Sequence, residues 1–323
     1  MKHILVAGAG ALGIRHMQAI LLSKQPYHII LLDINPSAFE KGREVFASST
    51  KNAEHTLDCM TSAEQLPDSI EVAVVATCAN VRAKIVKEIV QSTKVSYVIL
   101  EKVLFQRVEE YEEIESLLKE HQIKAYVNCP RRMQPYYKQL KEQLKDATKM
   151  EISVAGANWG LACNAIHFID MIAYLTGEQD VAISLDQLED ACIESKRAGF
   201  VEVLGTITGK LGKCERFQIS CYDQIEMPLT INIISDVARV TLDEGKRVMM
   251  VSSKENDWNW EMCEITMYYQ SQLTHLVVKE LLETGTCSLT SYEESKKLHL
   301  SFLFPLSEYF AKQGMEEKLC PIT

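Results

Sequence analysis

The 323-residue sequence predicts an α/β domain with a doubly wound parallel sheet, followed by an α+β domain with an open, mostly antiparallel sheet. Three observations predict this order. Short β-rich runs alternate with helical stretches up to about residue 127, and a glycine-rich turn follows the first run. Beyond about residue 181, strand-like runs succeed one another without helices between them. We therefore expect one domain over residues 1–127 and a second over residues 128–323.

The first domain is predicted from apolar runs, several of them apolar on both faces, which suit a parallel sheet covered by helices on both sides. The predicted strands are Lys2–Ala7, His28–Asp33, Glu71–Thr77, Ser96–Glu101 and Ile123–Asn128. The predicted helices between them are Ala11–Ser23, Pro36–Ala47, Ala79–Ser92 and Val108–His121. Asn35 is the expected N-cap of the second helix, with Pro36 at its first position. The alternation implies right-handed βαβ units.

The second domain begins with a linking helix and a strand and then becomes rich in short strands. Helices are predicted over Met133–Asp146 and over Asn164–Leu175, the latter ending at Gly177. The predicted strands are Met150–Ala157, Phe200–Thr208, Cys214–Tyr222, Leu229–Ile234, Ala238–Leu242 and Arg247–Val251. Helices over Tyr269–Glu283 and Tyr292–Ala311 close the chain, the second after a capping box formed by Ser291 and Glu294.

Composition excludes several classes of protein. The net charge of −10 argues against a chain that binds nucleic acid or anionic membranes through a basic surface. No apolar run approaches the roughly 20 residues of a membrane helix, and the N-terminus lacks the length of a signal peptide. The ten cysteines are scattered without any C-x-x-C pair, which is typical of reduced thiols in a cytoplasmic protein. Glu261, Cys263 and Glu264 do not form a convincing ligand set, so no metal is predicted.

A glycine motif predicts a dinucleotide site. Gly8, Gly10 and Gly13 follow the first strand and open the first helix, where they allow a tight turn, approach of a pyrophosphate and close packing of helix on strand. The helix N-terminus would then receive the diphosphate. Asp33 closes the second strand twenty residues after Gly13, and its carboxylate can accept bonds from ribose hydroxyls while repelling a 2′-phosphate. No Arg occurs in residues 34–37, so NAD is favoured over NADP. The alternative is a tight turn beside a surface aspartate.

Further landmarks follow in a fixed order along the chain. They are His16, the segment Ala76-Thr77-Cys78-Ala79-Asn80, the segment Glu101-Lys102-Val103, the segment Asn128-Cys129-Pro130-Arg131-Arg132, and the segment His167-Phe168-Ile169-Asp170. This arrangement resembles the Gfo/Idh/MocA oxidoreductase family, most closely over residues 1–177. The resemblance implies an N-terminal Rossmann domain, a C-terminal domain for substrate binding and oligomerisation, and NAD(P)-dependent hydride transfer. Sugars, cyclitols and their derivatives are the implied substrates, and a homodimer or homotetramer is the implied assembly.

The resemblance also implies roles for individual residues. Lys102 matches the lysine of the family's Glu-Lys-Pro motif, His167 matches the histidine of its Asp-x-x-x-His motif, and Asp170 is the acidic residue one turn later. We expect these three to be catalytic, with His167 transferring the proton and Lys102 polarising the substrate oxygen, or the reverse. The expected cofactor-binding residues are Gly8, Gly10, Ala11, Leu12, Gly13, Asp33, Thr77, Asn80, Glu101 and Lys102. The expected substrate-binding residues are Lys102, Arg132, Trp159, Asn164 and His167.

Two positions depart from the family pattern. Val103 stands where the family usually has a proline, commonly after a cis peptide bond, so the local geometry is open to change. Cys163 stands where the family has an aspartate, and a thiol does not supply that carboxylate's charge.

The sequence leaves the roles of several other residues open. Arg131 and Arg132 could bind a substrate carboxylate or phosphate, or form structural ion pairs. Asp170 could orient His167 or hold a substrate hydroxyl. His16 is expected to pack or to bond backbone groups. Trp258 and Trp260 are expected in a turn or a subunit interface.

Three functions are compatible with these residues. The leading hypothesis is a dehydrogenase or reductase acting on CH–OH groups in carbohydrate metabolism. A second is a non-catalytic, NAD-bound sensor of the same fold, which Val103 and Cys163 favour and Lys102 and His167 oppose. A third is an enzyme that holds NAD tightly and uses it for internal oxidation and reduction during elimination or epimerisation.

Overall fold

The computed structural model describes residues 1–223 and 225–323. The strands in chain order are β1 Lys2–Ala7, β2 Tyr27–Leu32, β3 Thr56–Met60, β4 Ser69–Val75, β5 Lys94–Leu100, β6 Lys124–Val127, β7 Met150–Ala157, β8 Val181–Leu188, β9 Ile193–Glu194, β10 Val201–Glu202, β11 Gly205–Leu211, β12 Cys214–Tyr222, β13 Thr230–Ser235, β14 Ala238–Asp243, β15 Val248–Ser253, β16 Glu261–Glu264 and β17 Thr290–Ser291. The α-helices are α1 Ala11–Ile20, α2 Ala38–Ser48, α3 Ala79–Ser92, α4 Val108–Glu120, α5 Pro135–Gln143, α6 Leu161–Thr176, α7 Thr274–Thr284 and α8 Tyr292–Lys312.

The chain divides into two compact units, and neither is a single continuous segment. The first unit comprises Met1–Phe105, Glu109–Pro130 and Tyr268–Ser295. The second comprises Gln106–Val108, Arg131–Met267 and Lys296–Thr323. Residues 268–295, which the sequence assigned with the second domain, thus cluster with the first unit, because β17 pairs with β6 and α7 packs against α1.

The first unit is built on a seven-stranded sheet in the order β17-β6-β5-β4-β1-β2-β3. Its first six strands in the chain are parallel and β17 is antiparallel to β6. The central strands carry aliphatic side chains on both faces, and residues Ile4 to Ala7 of β1 are fully buried. This confirms the predicted doubly wound parallel sheet.

The second unit is built on an eight-stranded sheet in the order β16-β15-β14-β13-β7-β12-β11-β8. Among the described strands of this sheet, only β12 and β7 pair in parallel, so the sheet is mostly antiparallel, as predicted. Helix α6 is apolar and buried along most of its length and packs against β12. On β7 buried residues alternate with exposed or half-buried ones, which is typical of a sheet with one face toward the core.

Several predicted elements differ in detail. Strands β3, β8 and β16 were not predicted; each is an edge strand of its sheet whose side chains are exposed or half-buried, so none shows the fully buried apolar run of a central strand. The predicted strand Phe200–Thr208 is two strands, β10 and β11, which belong to different sheets and are separated by Val203 and Leu204; Gly205, at φ 101°, is the first residue of β11. The linking helix is shorter than Met133–Asp146 and follows a 3₁₀ turn over Pro130–Met133.

Helix starts also differ from the predictions. The side-chain oxygen of Asn35 accepts the backbone N–H of Ser37, two residues on, as is expected of an N-cap, but α2 begins only at Ala38. A 3₁₀ turn over Gln270–Gln272 precedes α7, which starts later than the predicted Tyr269. At α8, the hydroxyl of Ser291 accepts the backbone N–H of Glu294 at 3.2 Å, as the capping-box pattern predicts. Within the described residues, no helix is long and apolar enough to cross a membrane.

Candidate active site

The glycine loop leaves the N-terminus of α1 open. Gly10 is the N-cap residue, and a Cβ placed on it would meet no atom within 4 Å among the described residues. Gly10 and Ala11 are exposed, and Leu12 is half-buried. Gly13 is fixed by packing, because a Cβ there would stand 1.8 Å from the carbonyl oxygen of Gly8. The backbone at the N-terminus of α1 is therefore open at Gly10, where the first N–H groups of a helix can bind an anion.

Asp33 ties this loop to the end of β2. Its Oδ2 accepts the backbone N–H of Ala9 at 2.8 Å, and its Oδ1 accepts the backbone N–H of Asn35 at 2.9 Å. The backbone N–H of Gly8 donates to the carbonyl of Leu32 at 2.8 Å. The carboxylate is thus held beside the glycine loop and remains half-buried, where a ligand can reach it.

The end of β4 completes the same edge of the sheet. A Cβ on Gly8 would stand 3.0 Å from the backbone nitrogen of Thr77, so the two segments touch. The Thr77 hydroxyl oxygen is buried and has no hydrogen-bond partner within the described part of the chain. Asn80 is exposed in the first turn of α3. Because β1 continues to β2 on one side and β4 lies on its other side, this is the switch point at which doubly wound sheets bind ligands.

Glu101 and Lys102 follow β5 at the same edge. Glu101 is 3% exposed, and its Oε1 lies 2.8 Å from Nε2 of His16 and also accepts the side-chain amide of Asn128. Burial alone would raise the pKa of Glu101, but the hydrogen bonds from His16 and Asn128 and the charges of His16 and Lys102 hold it below its ordinary value. The Glu101 carboxylate is therefore turned into the unit, while Lys102 is half-buried.

His16 is packed inside the first unit, the first of its two expected roles, and its hydrogen bonds go to side chains and not to backbone groups. It is fully buried, and its Nδ1 lies 2.8 Å from the hydroxyl of Thr274, which begins α7. Gln270 bonds both Thr274, at 3.0 Å, and the side chain of Asn128, at 2.9 Å. A buried network thus joins the residue before Lys102 to α1, β6 and α7.

The segment after Lys102 is held by a buried arginine that the sequence analysis did not identify. Arg82, on α3, donates to the carbonyl oxygens of Thr77, Val103 and Leu104. The Lys102–Val103 peptide bond is cis, as the family commonly has before its proline. The ends of β4 and β5 are therefore linked by one guanidinium group, and no feature of the sequence distinguishes Arg82 from a solvated helix residue.

In the second unit, α6 carries the other predicted catalytic residues. His167 is half-buried on this helix. The Asn164 amide donates to the carbonyls of Trp159, at 2.8 Å, and Gly160, at 3.1 Å. The Trp159 indole donates to the carbonyl of Ser220 at 3.0 Å and meets Phe168 edge-on. Trp159 and Asn164, both predicted to bind substrate, thus lie together at the start of the helix.

Both arginines after β6 form the ion pairs that the sequence left open as an alternative. Nε of Arg132 donates to Oδ2 of Asp170 at 2.8 Å, and the two side chains are 9% and 1% exposed. Asp170 lies on the same helix as His167, and its carboxylate is therefore paired with the Arg132 guanidinium. The substrate-binding role expected for Arg132 has no support from this geometry, since its guanidinium is buried in that pair.

Arg131 pairs with Glu244 at 2.8 Å, and Glu244 also accepts the hydroxyls of Tyr136 and Tyr137. Burial raises the pKa of Tyr136 and of Tyr137, as does the charge of Glu244. This cluster joins α5 to the turn after β14. Of its residues, only Arg131 is a candidate from the sequence.

A further carboxylate at α6 was also not predicted. Glu202, on β10, is 6% exposed, and its oxygens accept the backbone N–H of Ala162 at 2.8 Å and of Cys163 at 3.3 Å. Trp258 lies in a turn and Trp260 just before β16; Asp257 and Trp258 have positive φ angles, and the Arg239 guanidinium lies over both indole rings.

Residues 2–129 match the model of an oxidoreductase family with an NAD-binding Rossmann fold, Gfo/Idh/MocA. No curated protein sequence matches the chain. Among solved structures, UDP-N-acetylglucosamine 3-dehydrogenase GnnA from Acidithiobacillus ferrooxidans is 11% identical, with a TM-score of 0.70 over 94% of this chain and 96% of that one. The scyllo-inositol dehydrogenase of Lactobacillus casei, with bound NAD(H) and scyllo-inositol, is 16% identical, with a TM-score of 0.66 over 97% and 98%.

A super-repressor mutant of Gal80p from Saccharomyces cerevisiae is 13% identical, with a TM-score of 0.73 over 96% of this chain and 97% of that one. At these identities the three structures establish that the fold is shared over nearly the whole length of each chain.

Proposed function

We propose that this chain, whose residues 2–129 match the model of the Gfo/Idh/MocA oxidoreductase family, transfers a hydride between a nicotinamide dinucleotide and a sugar, a cyclitol or a sugar derivative. The observation that carries the proposal is the open helix N-terminus behind Gly10. The buried, unpartnered hydroxyl of Thr77 lies at the same sheet edge in the described part of the chain and fits a bound ligand there.

We propose NAD as the preferred dinucleotide. Asp33 lies at the end of β2, the position from which an acidic side chain bonds the adenosine ribose. Its negative charge would repel a 2′-phosphate. The two backbone bonds from Ala9 and Asn35 hold the carboxylate in place before any nucleotide arrives.

The chemistry divides among residues with distinct tasks. A bound nicotinamide would accept or supply the hydride. The Lys102 ammonium would polarise the substrate oxygen, and His167 would take or return its proton, since an imidazole titrates near neutral pH. Glu101, fixed by His16 and Asn128, would hold the backbone from which Lys102 extends. Asp170 would act through its ion pair with Arg132, which anchors the middle of α6.

A polyhydroxylated substrate is supported by two observations. The printed names of two structural relatives refer to a nucleotide-linked amino sugar and to scyllo-inositol. In this chain the ring of Trp159 is half-buried and its indole N–H is fixed to Ser220, and we propose that this held ring packs against the C–H face of a sugar.

The first test is titration of NADH and of NADPH into the purified protein, followed by energy transfer from tryptophan to the nicotinamide. We expect NADH to bind more tightly, and the NADH-bound protein then justifies a screen of sugars and cyclitols. If neither nucleotide binds and no cofactor is retained from purification, the dehydrogenase proposal is wrong. Cofactor that survives purification and never appears as free NADH would favour internal oxidation and reduction of one substrate.

A sensor that binds NAD without turnover is the second candidate, and the fold shared with the Gal80p super-repressor mutant favours it. Lys102→Ala distinguishes the two functions. For an enzyme, kcat should fall by at least about a hundredfold while NADH binding persists, because acid–base and polarising groups contribute factors of that size. A protein with no turnover on a broad panel of sugars and cyclitols, but with intact NADH binding, would instead be the sensor.

A further inference from the structure

Helix α6 begins without a side-chain cap of its own. Its N-cap residue is Gly160, which has a φ of 80° and no side chain to accept the N–H groups of the first turn. An N-cap side chain ordinarily accepts the N–H of the second or third helical residue. In α6 these residues are Ala162 and Cys163, and the oxygens of Glu202 accept both N–H groups. A residue forty positions away in the sequence thus takes the place of the local cap.

Glu202 is held at this point by the hairpin of β9 and β10. Val201 pairs with Glu194, Glu202 pairs with Ile193, and the N–H of Val201 donates to the carbonyl of Pro321 at 2.9 Å. In the same hairpin, the Lys196 ammonium donates to the carbonyl of Asn158 at 3.0 Å. The hairpin therefore forms hydrogen bonds both to the segment before α6 and to the first turn of α6.

The fit around the carboxylate is close. A Cβ on Gly160 would stand 2.7 Å from Oε1 of Glu202, so the glycine leaves just the space that the carboxylate needs. A buried negative charge at a helix N-terminus is favoured by the helix dipole and by the donors of the first turn.

The first turn of α6 bears directly on His167. Cys163 and His167 are four residues apart and lie on one face of the helix. Side chains in a helix lean toward its N-terminus, so the imidazole of His167 leans over the turn that Glu202 holds. Cys163 is also the position at which the family pattern has a carboxylate, and Glu202 brings one to the same turn from another strand.

We propose that Glu202 is a positioning residue for His167. Its carboxylate, presented by the β9–β10 hairpin, fixes the first turn of α6 and thereby the position and orientation of the His167 imidazole. This inference rests on the proposed proton-transfer role of His167. Glu202 lies outside the family motif.

The test uses Glu202→Ala and Glu202→Gln in the full chain, with Glu194→Gln as the matched control, since Glu194 is exposed on the partner strand. Hydrogen exchange at the amides of Ala162 and Cys163 should accelerate by about tenfold or more in Glu202→Ala. The kcat of Glu202→Ala should fall by about tenfold or more while its KM for NADH stays unchanged, because a misplaced catalytic group slows the chemical step and leaves nucleotide binding intact. Glu202→Gln keeps one acceptor oxygen and should lie between, whereas the control should match the wild type.

If Glu202→Ala accelerates exchange but keeps kcat within twofold of wild type, Glu202 is only a helix cap and the proposal is wrong. If Glu202→Ala does not fold, the same comparison is made with Glu202→Gln. If the wild type has no turnover on any sugar or cyclitol, the proposed function fails separately. The imidazole NMR signal of His167, assigned by its loss in His167→Gln, then decides: a signal that moves in Glu202→Gln but not in Glu194→Gln supports positioning, and an unmoved signal overturns it.

Discussion

Two glycines of the same motif, Gly10 and Gly13, have different structural roles. Gly13 lies against the carbonyl of Gly8 and allows α1 to approach β1, whereas Gly10 faces open space at the helix N-terminus. One glycine therefore serves packing, and the other serves access for a ligand.

This difference predicts opposite outcomes for two alanine substitutions. Gly10→Ala should leave the unfolding midpoint nearly unchanged but weaken NADH binding by about tenfold or more, which is about 1.4 kcal/mol, because its methyl group covers the N–H groups of α1. Gly13→Ala should destabilise the fold by about 1 to 3 kcal/mol or more through overpacking. Thermal unfolding and NADH titration of both variants check this. Equal loss of stability in both would show that the loop does not have the described geometry.

The glycines and Asp33 could be predicted from the sequence because their spacing carries the information. Arg82, Glu202 and the partners of His16 could not, because each acts on a residue distant in sequence: His16 and Thr274 are 258 residues apart. Residue type alone places an arginine or a glutamate on the surface by default. Only the fold brings such a side chain to the carbonyl or N–H group that it satisfies.

At the scale of elements, the buried pair of Glu101 and His16 holds the end of β5 to α1. The pKa of Glu101 is held below its ordinary value, so its carboxylate stabilises the fold fully above about pH 4.3, the unfolded value. That stabilisation is lost as the pH falls through the lower folded value. Acid should therefore loosen this junction only well below neutral pH.

Glu101→Gln should lower the free energy of unfolding at pH 7 by about 1 to 3 kcal/mol, the usual cost of leaving buried hydrogen-bonding groups without their partner. The difference from wild type should shrink as the pH falls below about 4.3, where the wild-type carboxylate begins to lose its advantage. Denaturant unfolding across this pH range measures both effects. Glu120→Gln, at an exposed site on α4, is the control and should follow the wild type. A difference that is constant with pH would contradict the assignment.

Strands and helices were predicted well where their pattern is strong and less well at sheet edges. The apolar strands β1 and β4 and helix α3 follow from runs that only a buried element tolerates. Strand β3 alternates exposed and half-buried residues at an edge, so its sequence is no more apolar than a loop. The chain leaves one sheet for another between Glu202 and Gly205, and no local signal separates such a break from a bulge within one strand.

At the scale of the whole molecule, the outer face of the eight-stranded sheet carries exposed apolar side chains. They include Ile234, Met250, Met262 and Trp260, which are 55%, 37%, 75% and 46% exposed. On this face Ile234 pairs with Glu151 and Arg239, and Met250 pairs with Met262 and Thr241. An apolar patch with polar residues around it is typical of a protein–protein interface.

We propose that the chain forms a homodimer or homotetramer through this face. Light scattering of the wild type should then give a mass at least twice that of one chain, and Ile234→Lys combined with Met262→Lys should shift it toward the monomer. Ile193→Lys, which adds the same charge at an exposed isoleucine outside this sheet, is the control. A monomeric wild type would refute the proposal, and so would an assembly that survives both lysines.

The short strand β17 has a consequence for how the protein is made. It pairs with Tyr126 and Val127 of β6, yet it leaves the ribosome roughly 160 residues later. At about 5 to 20 residues per second, the nascent N-terminal unit waits on the order of ten to thirty seconds with that edge uncovered and with His16 lacking Thr274. An uncovered parallel strand is a template for pairing with other chains. Synthesis of this protein thus includes an interval in which chaperones have a defined strand edge to shield, and it ends only when residues 274–291 emerge.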